Sequence, residues 1–151
     1  MARQARQIHV YLYRKTNGVY EYALFQRSDM PICWQGVCGG LEGDENLEEG
    51  LRRELWEEAG ISDFGIAHLL ETVSYVPVEQ FSEKHREYWG KSTVVIPMYC
   101  YGIPYDGEIL LSEEHTDVRW LPYDEARELV YFDSQKTALY ELNEKLLRGL
   151  L

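Results

Sequence analysis

Apolar residues recur along the chain at two spacings, and each spacing predicts a different element. From Ile8 to Arg14, and again from Tyr20 to Arg27, apolar side chains alternate with polar or aromatic ones, the period of a strand. Asn17-Gly18 stands between the two stretches. Both of its residues tolerate left-handed backbone, so it predicts a tight hairpin joining antiparallel strands. Asp29 to Ile32 reads as a loop, and Trp34 to Cys38 as a short strand running into a glycine turn at Gly39-Gly40. Ala67 to Pro77 and Ser92 to Ile103, rich in Val, Ile and Tyr, predict two longer strands, and Val118 to Leu121 a short one. Asp106-Gly107 reads as a turn. The helical period governs three stretches: Asn46 to Gly60, with Leu51, Leu55 and Ala59 as its apolar stripe, then Tyr123 to Val130, then Ser134 to Leu147. Val78 to Gly90 follows neither period. It is charged and aromatic, and it reads as a long connecting loop of the kind that usually carries function.

A chain of 151 residues suits one domain, taken here as residues 1–151. The net charge of −11 argues against a binder of polymeric nucleic acid, which relies on a basic stripe. It does not exclude a small anionic substrate, because a bound cation inverts the local field. Cys33, Cys38 and Cys100 form no metal-binding pair and leave one thiol over, which points away from disulfides and zinc and toward a cytoplasmic location. No apolar run is long enough to span a membrane.

The helix from Asn46 to Gly60 holds the candidate chemistry. Asn46 with Glu49 forms a capping box at its start, and Gly60 supplies a left-handed stop. At about 100° per residue, Glu54, Glu57 and Glu58 fall within an arc of roughly 100°. Carboxylates held that close repel one another unless a cation sits among them, and oxygen ligands of this kind suit hard divalent ions such as Mg²⁺. Gly50 weakens the helix, and its position predicts that a neighbouring backbone packs close beneath the acidic edge.

Gly39, five residues, Glu45, seven residues, then Arg53-Glu54-Leu55-Trp56-Glu57-Glu58-Ala59-Gly60-Ile61 resembles the Nudix box at every fixed position. The resemblance implies a Nudix-type α/β/α sandwich with a mixed, curved central sheet, the box helix carrying the metal site. It also implies Mg²⁺-dependent hydrolysis of a nucleoside diphosphate linked to another group, with Mn²⁺ as a substitute cation. Glu54, Glu57 and Glu58 match the family's metal ligands, joined by the main-chain carbonyl of Cys38. Arg53 matches the arginine that holds a box glutamate in position, with Glu49 and Glu57 one turn away on either side. Glu45 matches the glutamate that ties the turn to the helix; Gly39 and Gly60 are structural positions. The resemblance implies a general base that the family often takes from a loop outside the box. Glu114, in the run Glu114-His115 to Trp120, is the first candidate for base and further metal ligand, with Glu113, Glu83 and Glu87 as alternatives and Glu57 or Glu58 serving instead in some readings.

Trp34-Gln35-Gly36-Val37, the 78–90 connection and Glu114-His115 are similar to the dATP and dihydroneopterin triphosphate pyrophosphatase branch. That similarity implies a nucleoside or pterin triphosphate cleaved to the monophosphate and pyrophosphate. Trp34, Tyr75 and Trp89 are candidates to stack on the heterocycle, Gln35 lies among them, and Arg27, Arg86 and Lys91 are candidates to hold outer phosphates. Competing readings are a dinucleoside polyphosphate or nucleotide-sugar hydrolase, an isopentenyl diphosphate isomerase-like enzyme using Cys33 or Cys38, and a non-catalytic nucleotide-binding protein. The oligomeric state, a homodimer included, is left open.

Overall fold

The computed structural model describes residues 2–151. Its strands are β1 (Arg3–Thr16), β2 (Val19–Arg27), β3 (Trp34–Gln35), β4 (Val37–Glu42), β5 (His68–Pro77), β6 (Val95–Pro104) and β7 (His115–Pro122). The helices are α1 (Leu47–Ala59), α2 (Glu83–Trp89), α3 (Tyr123–Leu129) and α4 (Asp133–Leu147). All seven strands join one sheet of order β3-β2-β1-β6-β5, with β4 added to β1 and β7 to β2. The sheet is mixed: β1 and β6 run parallel, from Gln7 opposite Met98 to Tyr13 opposite Pro104, whereas β1 pairs antiparallel with β2 and β4. Asn17 and Gly18 take positive φ between β1 and β2, as the hairpin signal requires.

Alternation along β1 divides the molecule into two cores. Ile8, Val10 and Leu12 face the side that α1 covers with Leu51, Leu55 and Ala59. Tyr11 and Tyr13 face the opposite side with Ala126 of α3 and Ala138, Leu139 and Leu142 of α4. Helices on both faces of a sheet whose central strands are apolar on both sides make the α/β/α sandwich. Among the described residues, no helix is long and apolar enough to cross a membrane.

Five local expectations need correction. β1 starts at Arg3, five residues before Ile8, because its first half pairs with β4, from Arg3 opposite Glu42 to Val10 opposite Val37. The stretch from Trp34 to Cys38 is two strands broken at Gly36, whose N–H donates to His9 Nε2 at 3.1 Å and whose α-carbon lies against the Val10 carbonyl. Gly39 and Gly40 are strand residues opposite Ile8 and Gln7, not a turn; the turn lies beyond them, where Gly43 takes φ 54°. The 78–90 connection contains α2, capped by Ser82 Oγ and tied to β1 where Trp89 Nε1 donates to the Arg3 carbonyl at 2.8 Å. No residue of α2 is buried, so it has no apolar stripe to betray it in the sequence. Gly50, for its part, packs against the side chain of Leu41 rather than against backbone.

Candidate active site

The acidic helix begins as its sequence predicts. Asn46 Oδ1 accepts from the Glu49 N–H at 2.9 Å, and Glu49 Oε1 accepts from the Asn46 N–H at 3.1 Å. Gly60, at φ 67°, ends it. One turn before that end, Glu54, Glu57 and Glu58 each present an oxygen within 4.8 Å of the other two. Glu54 and Glu58 are buried and Glu57 is exposed.

Arg53 organises this cluster. Its Nε donates to Glu45 Oε2 at 2.7 Å, Nη1 to Glu54 Oε1 at 2.9 Å and Glu57 Oε2 at 3.1 Å, and Nη2 to the Gly40 carbonyl at 2.7 Å. Glu49 is spent on the helix cap, and Glu45 takes the place beside Arg53 that helical spacing had offered to it. Glu45 also accepts from the Glu42 N–H at 2.8 Å, fixing the turn to the helix. The Arg53 hydrogen bond draws Glu45 below its ordinary range. The bond to Glu45, with support from Glu54, holds Arg53 firmly protonated.

One guanidinium does not balance the cluster. Burial pushes Glu54 up to about 7 against the pull of Arg53, and the charges of Glu57 and Glu58 push the same way. Burial also raises Glu58, opposed by a 2.8 Å hydrogen bond from Ser112 Oγ and reinforced by the neighbouring Glu114. His115 Nδ1 lies 3.3 Å from Glu58 Oε2 without hydrogen-bond geometry, and burial lowers its pKa. It is therefore a neutral neighbour rather than an ion-pair partner. An all-oxygen set with an unmet demand for positive charge fits a hard divalent cation.

Gly39 lies against the cluster and also lines a cleft of about 830 Å³. A Cβ on Gly39 would clash with the Glu54 carboxyl group, so the strand passes directly against that carboxylate. The cleft runs from Cys38, Gly39, Glu114 and His115 past Gln35 and Arg27 to Tyr75, Phe81 and the first turn of α4. Its 112–115 wall is pinned to the end of β2, where Ser28 N–H donates to the Glu114 carbonyl at 2.9 Å and Ser28 Oγ to the Glu113 carbonyl at 2.6 Å.

Of the residues singled out in the sequence, Arg27, Gln35, Cys38, Gly39, Tyr75, Glu113 and Glu114 line the cleft, and the three box glutamates adjoin it. Six others do not line it. Trp34 is buried beside α3 and α4 with the Arg119 guanidinium 4.6 Å from its ring centroid. Trp89 is packed against Phe81 and His85. Arg86 and Lys91 point to solvent, as do Glu83 and Glu87 on α2. Arg27 reaches the cleft already committed, both arms on Asp29 at 2.9 and 2.6 Å. Burial raises the thiols of Cys33 and Cys38, which suppresses the thiolate an isomerase-like reaction would need. Sequence reasoning missed Arg3 and Gln135, both in the cleft. They stand far from the box in the chain, and only the β1–β4 ladder and the α4 packing bring them in.

Comparison with known proteins agrees with this arrangement. The profile of the NUDIX domain matches residues 3–142. The chain is 35% identical over 126 residues to the bis(5'-nucleosyl)-tetraphosphatase (asymmetrical) of Sus scrofa, covering 83% of this chain and 80% of that one. It is 29% identical over 118 residues to the dihydroneopterin triphosphate diphosphatase of Escherichia coli, covering 77% and 78%. A solved Listeria monocytogenes chain described as a Nudix hydrolase superposes with a TM-score of 0.83 at 35% identity over 97% of both chains. The chain belongs to the Nudix hydrolases, enzymes that act on phosphoanhydride bonds.

Proposed function

We propose that this protein is a Mg²⁺-dependent pyrophosphohydrolase that splits a nucleoside or pterin triphosphate into the monophosphate and pyrophosphate by attack of water at phosphorus. The observation that carries the reading is the convergence of Glu54, Glu57 and Glu58 against a strand that borders a roomy cleft. Glu54, Glu57, Glu58 and the Cys38 carbonyl would hold the cation, with Mn²⁺ as a substitute and Glu114 as a further ligand. When bound, the cation neutralises charge on the phosphate oxygens as the bridging bond breaks.

The chain's own residues do the positioning. Arg53 fixes the orientation of Glu54 and Glu57, so the ligands need little rearrangement when substrate arrives. Ser112 does the same for Glu58. Glu114 borders both the cleft and Glu58, and it takes the proton from the attacking water. The new P–O bond forms to that water oxygen while the electron pair of the broken bridge leaves on pyrophosphate. Tyr75, exposed at the cleft wall, offers a face for the heterocycle.

A second reading is a dinucleoside tetraphosphate split asymmetrically, favoured by the 35% identity to the porcine relative. One experiment addresses both readings: a Mg²⁺-supported screen of nucleoside triphosphates, dihydroneopterin triphosphate, dinucleoside tetraphosphates and triphosphorylated RNA, run in ¹⁸O-water. Pyrophosphate with ¹⁸O in the monophosphate supports the first reading. Preferential release of a triphosphate and a monophosphate from the dinucleotide supports the second. Turnover of none of them sinks both.

A further inference from the structure

We propose that Arg3 is a phosphate-binding residue of the cleft, taking a substrate phosphate that the carboxylate-bound cation does not hold. The inference rests on the function proposed above and adds to it a residue outside the box. Arg3 opens β1 and lines the cleft. Its guanidinium lies flat against Gly40, where any Cβ would strike Nε and Nη2, and 5.6 Å from the centroid of the Phe81 ring. Yet its Nε is buried with no hydrogen-bond acceptor, and among the described residues no carboxylate pairs with it.

That isolation is unusual in a chain of net charge −11, where acidic partners are plentiful. Glu42 is the register partner of Arg3 across the β1–β4 ladder, but its carboxylate turns toward Arg53, 3.6 Å from Nε. The other cleft arginine, Arg27, is neutralised by Asp29. Arg3 as a whole is half-exposed, but its Nε–H is withdrawn from water without an acceptor, which is costly, and an anion in the cleft would meet the unpaired charge of the fork. The planar fork suits phosphate oxygens.

Placement supports the same ligand. Arg3 rests on Gly40, and the Glu54 carboxylate rests on Gly39, one residue away on the opposite face of β4. Consecutive α-carbons are about 3.8 Å apart, so the guanidinium and the cation-binding carboxylate are separated by on the order of 10 Å or less. The two lie on opposite faces of β4, so a ligand that joins them passes round the strand's unpaired edge, a path that a polyphosphate chain is long enough to follow. A single phosphate on the cation is not.

The test uses Arg3→Gln and Arg3→Lys in the full chain. The Trp89 bond is to the Arg3 main-chain carbonyl, so both variants retain it, and thermal melting checks that they fold. Inorganic tripolyphosphate is titrated calorimetrically into each protein in Ca²⁺ buffer, and kcat and KM are measured on whichever substrate the wild type hydrolyses. Arg3→Gln is expected to weaken tripolyphosphate binding about 10- to 100-fold and to raise KM with little change in kcat, while Arg3→Lys recovers part of the loss. Equal tripolyphosphate affinity in wild type and Arg3→Gln overturns the assignment, as does a wild type that does not bind the anion. A wild type that binds tripolyphosphate through Arg3 but hydrolyses nothing in the substrate screen would leave the assignment standing and remove the proposed function.

Discussion

Replacing Gly39 by alanine adds one methyl group at the place where β4 meets the acidic cluster. Gly39 has no positive φ, and alanine adopts strand backbone freely, so the substitution carries no conformational penalty. Its whole effect is steric. The new Cβ would clash with the carboxyl carbon of Glu54 and both of its oxygens. Ordinary separation between such atoms is about 3.5 Å or more, so the carboxylate must withdraw by more than ~1 Å. Arg53 Nη1, at 2.9 Å, opposes that withdrawal, and the three-oxygen cluster opens as Glu54 leaves it. Overpacking of this kind costs about 1–3 kcal/mol, less where a side-chain end can swing aside as here. A displacement of about 1 Å in a reacting site costs about 100-fold in rate. The expected result is a fall in kcat/KM of about 100-fold or more and weaker Mn²⁺ binding by spin resonance, with the melting temperature lowered by only a few degrees. Gly40→Ala, which strikes Arg3 on the other face, is expected to raise KM instead and to leave Mn²⁺ affinity alone. A Gly39→Ala protein with wild-type turnover and cation affinity would refute the placement of Glu54 in the reaction.

Glu57→Gln and Glu58→Gln, assayed separately with excess Mg²⁺, are expected to lose turnover by about 10³-fold or more with little change in thermal stability. Equal activity in both would show that the roles assigned to them are wrong. Glu141 should make stability depend on pH in acid. Burial alone would raise it, but hydrogen bonds from Lys145 at 2.8 Å, from Thr72 Oγ1 at 2.6 Å and from the Glu71 and Thr72 amides bring it down to about 2. A folded pKa below the unfolded one stabilises the protein above about pH 4.5, and the gain is lost as pH falls from there toward 2. Discounted for solvent screening, the contribution is about 1–2 kcal/mol, so urea melts of wild type and Glu141→Gln should differ at pH 6 and converge near pH 2. Tyr22→Phe removes the hydroxyl that donates to Asn143 Oδ1 at 2.6 Å and should cost about 1–2 kcal/mol in the same melts with turnover retained.

How much of this was legible in the sequence depends on how local each cause is. The cap at Asn46, the stop at Gly60 and the acidic edge of α1 are set by residues within a few positions of one another, and the structure has them as the spacing predicts. The hairpin at Asn17-Gly18 is local in the same sense. What escaped was set by partners distant in the chain. Arg3 carries no strand signal of its own until β4 supplies the ladder that extends β1 to it. Trp34 has the composition of a base-stacking residue, but β3 pairs with Phe25 and Gln26 and carries its ring into the packing of α3 and α4. Arg27 has the charge for a phosphate, and Asp29, two residues on, takes that charge. Helix α2 makes its anchoring bond through an indole to β1, which no periodicity records.

The glycine pair in β4 explains why the box opens on glycine at all. A turn would ask for positive φ, and neither Gly39 nor Gly40 has it. What both supply is the absence of a side chain on a strand, where successive positions face opposite sides. On the α1 side the space is filled by the Glu54 carboxylate, and on the cleft side by the Arg3 guanidinium. The strand is thereby thin enough at this point for an anionic group and a cationic group to approach its backbone from opposite faces. A larger residue at either position would push one group away and leave the other in place. The two substitutions should therefore separate into a defect of turnover and a defect of binding, and the Gly40 carbonyl, which accepts from Arg53, keeps the strand fixed against α1 in both.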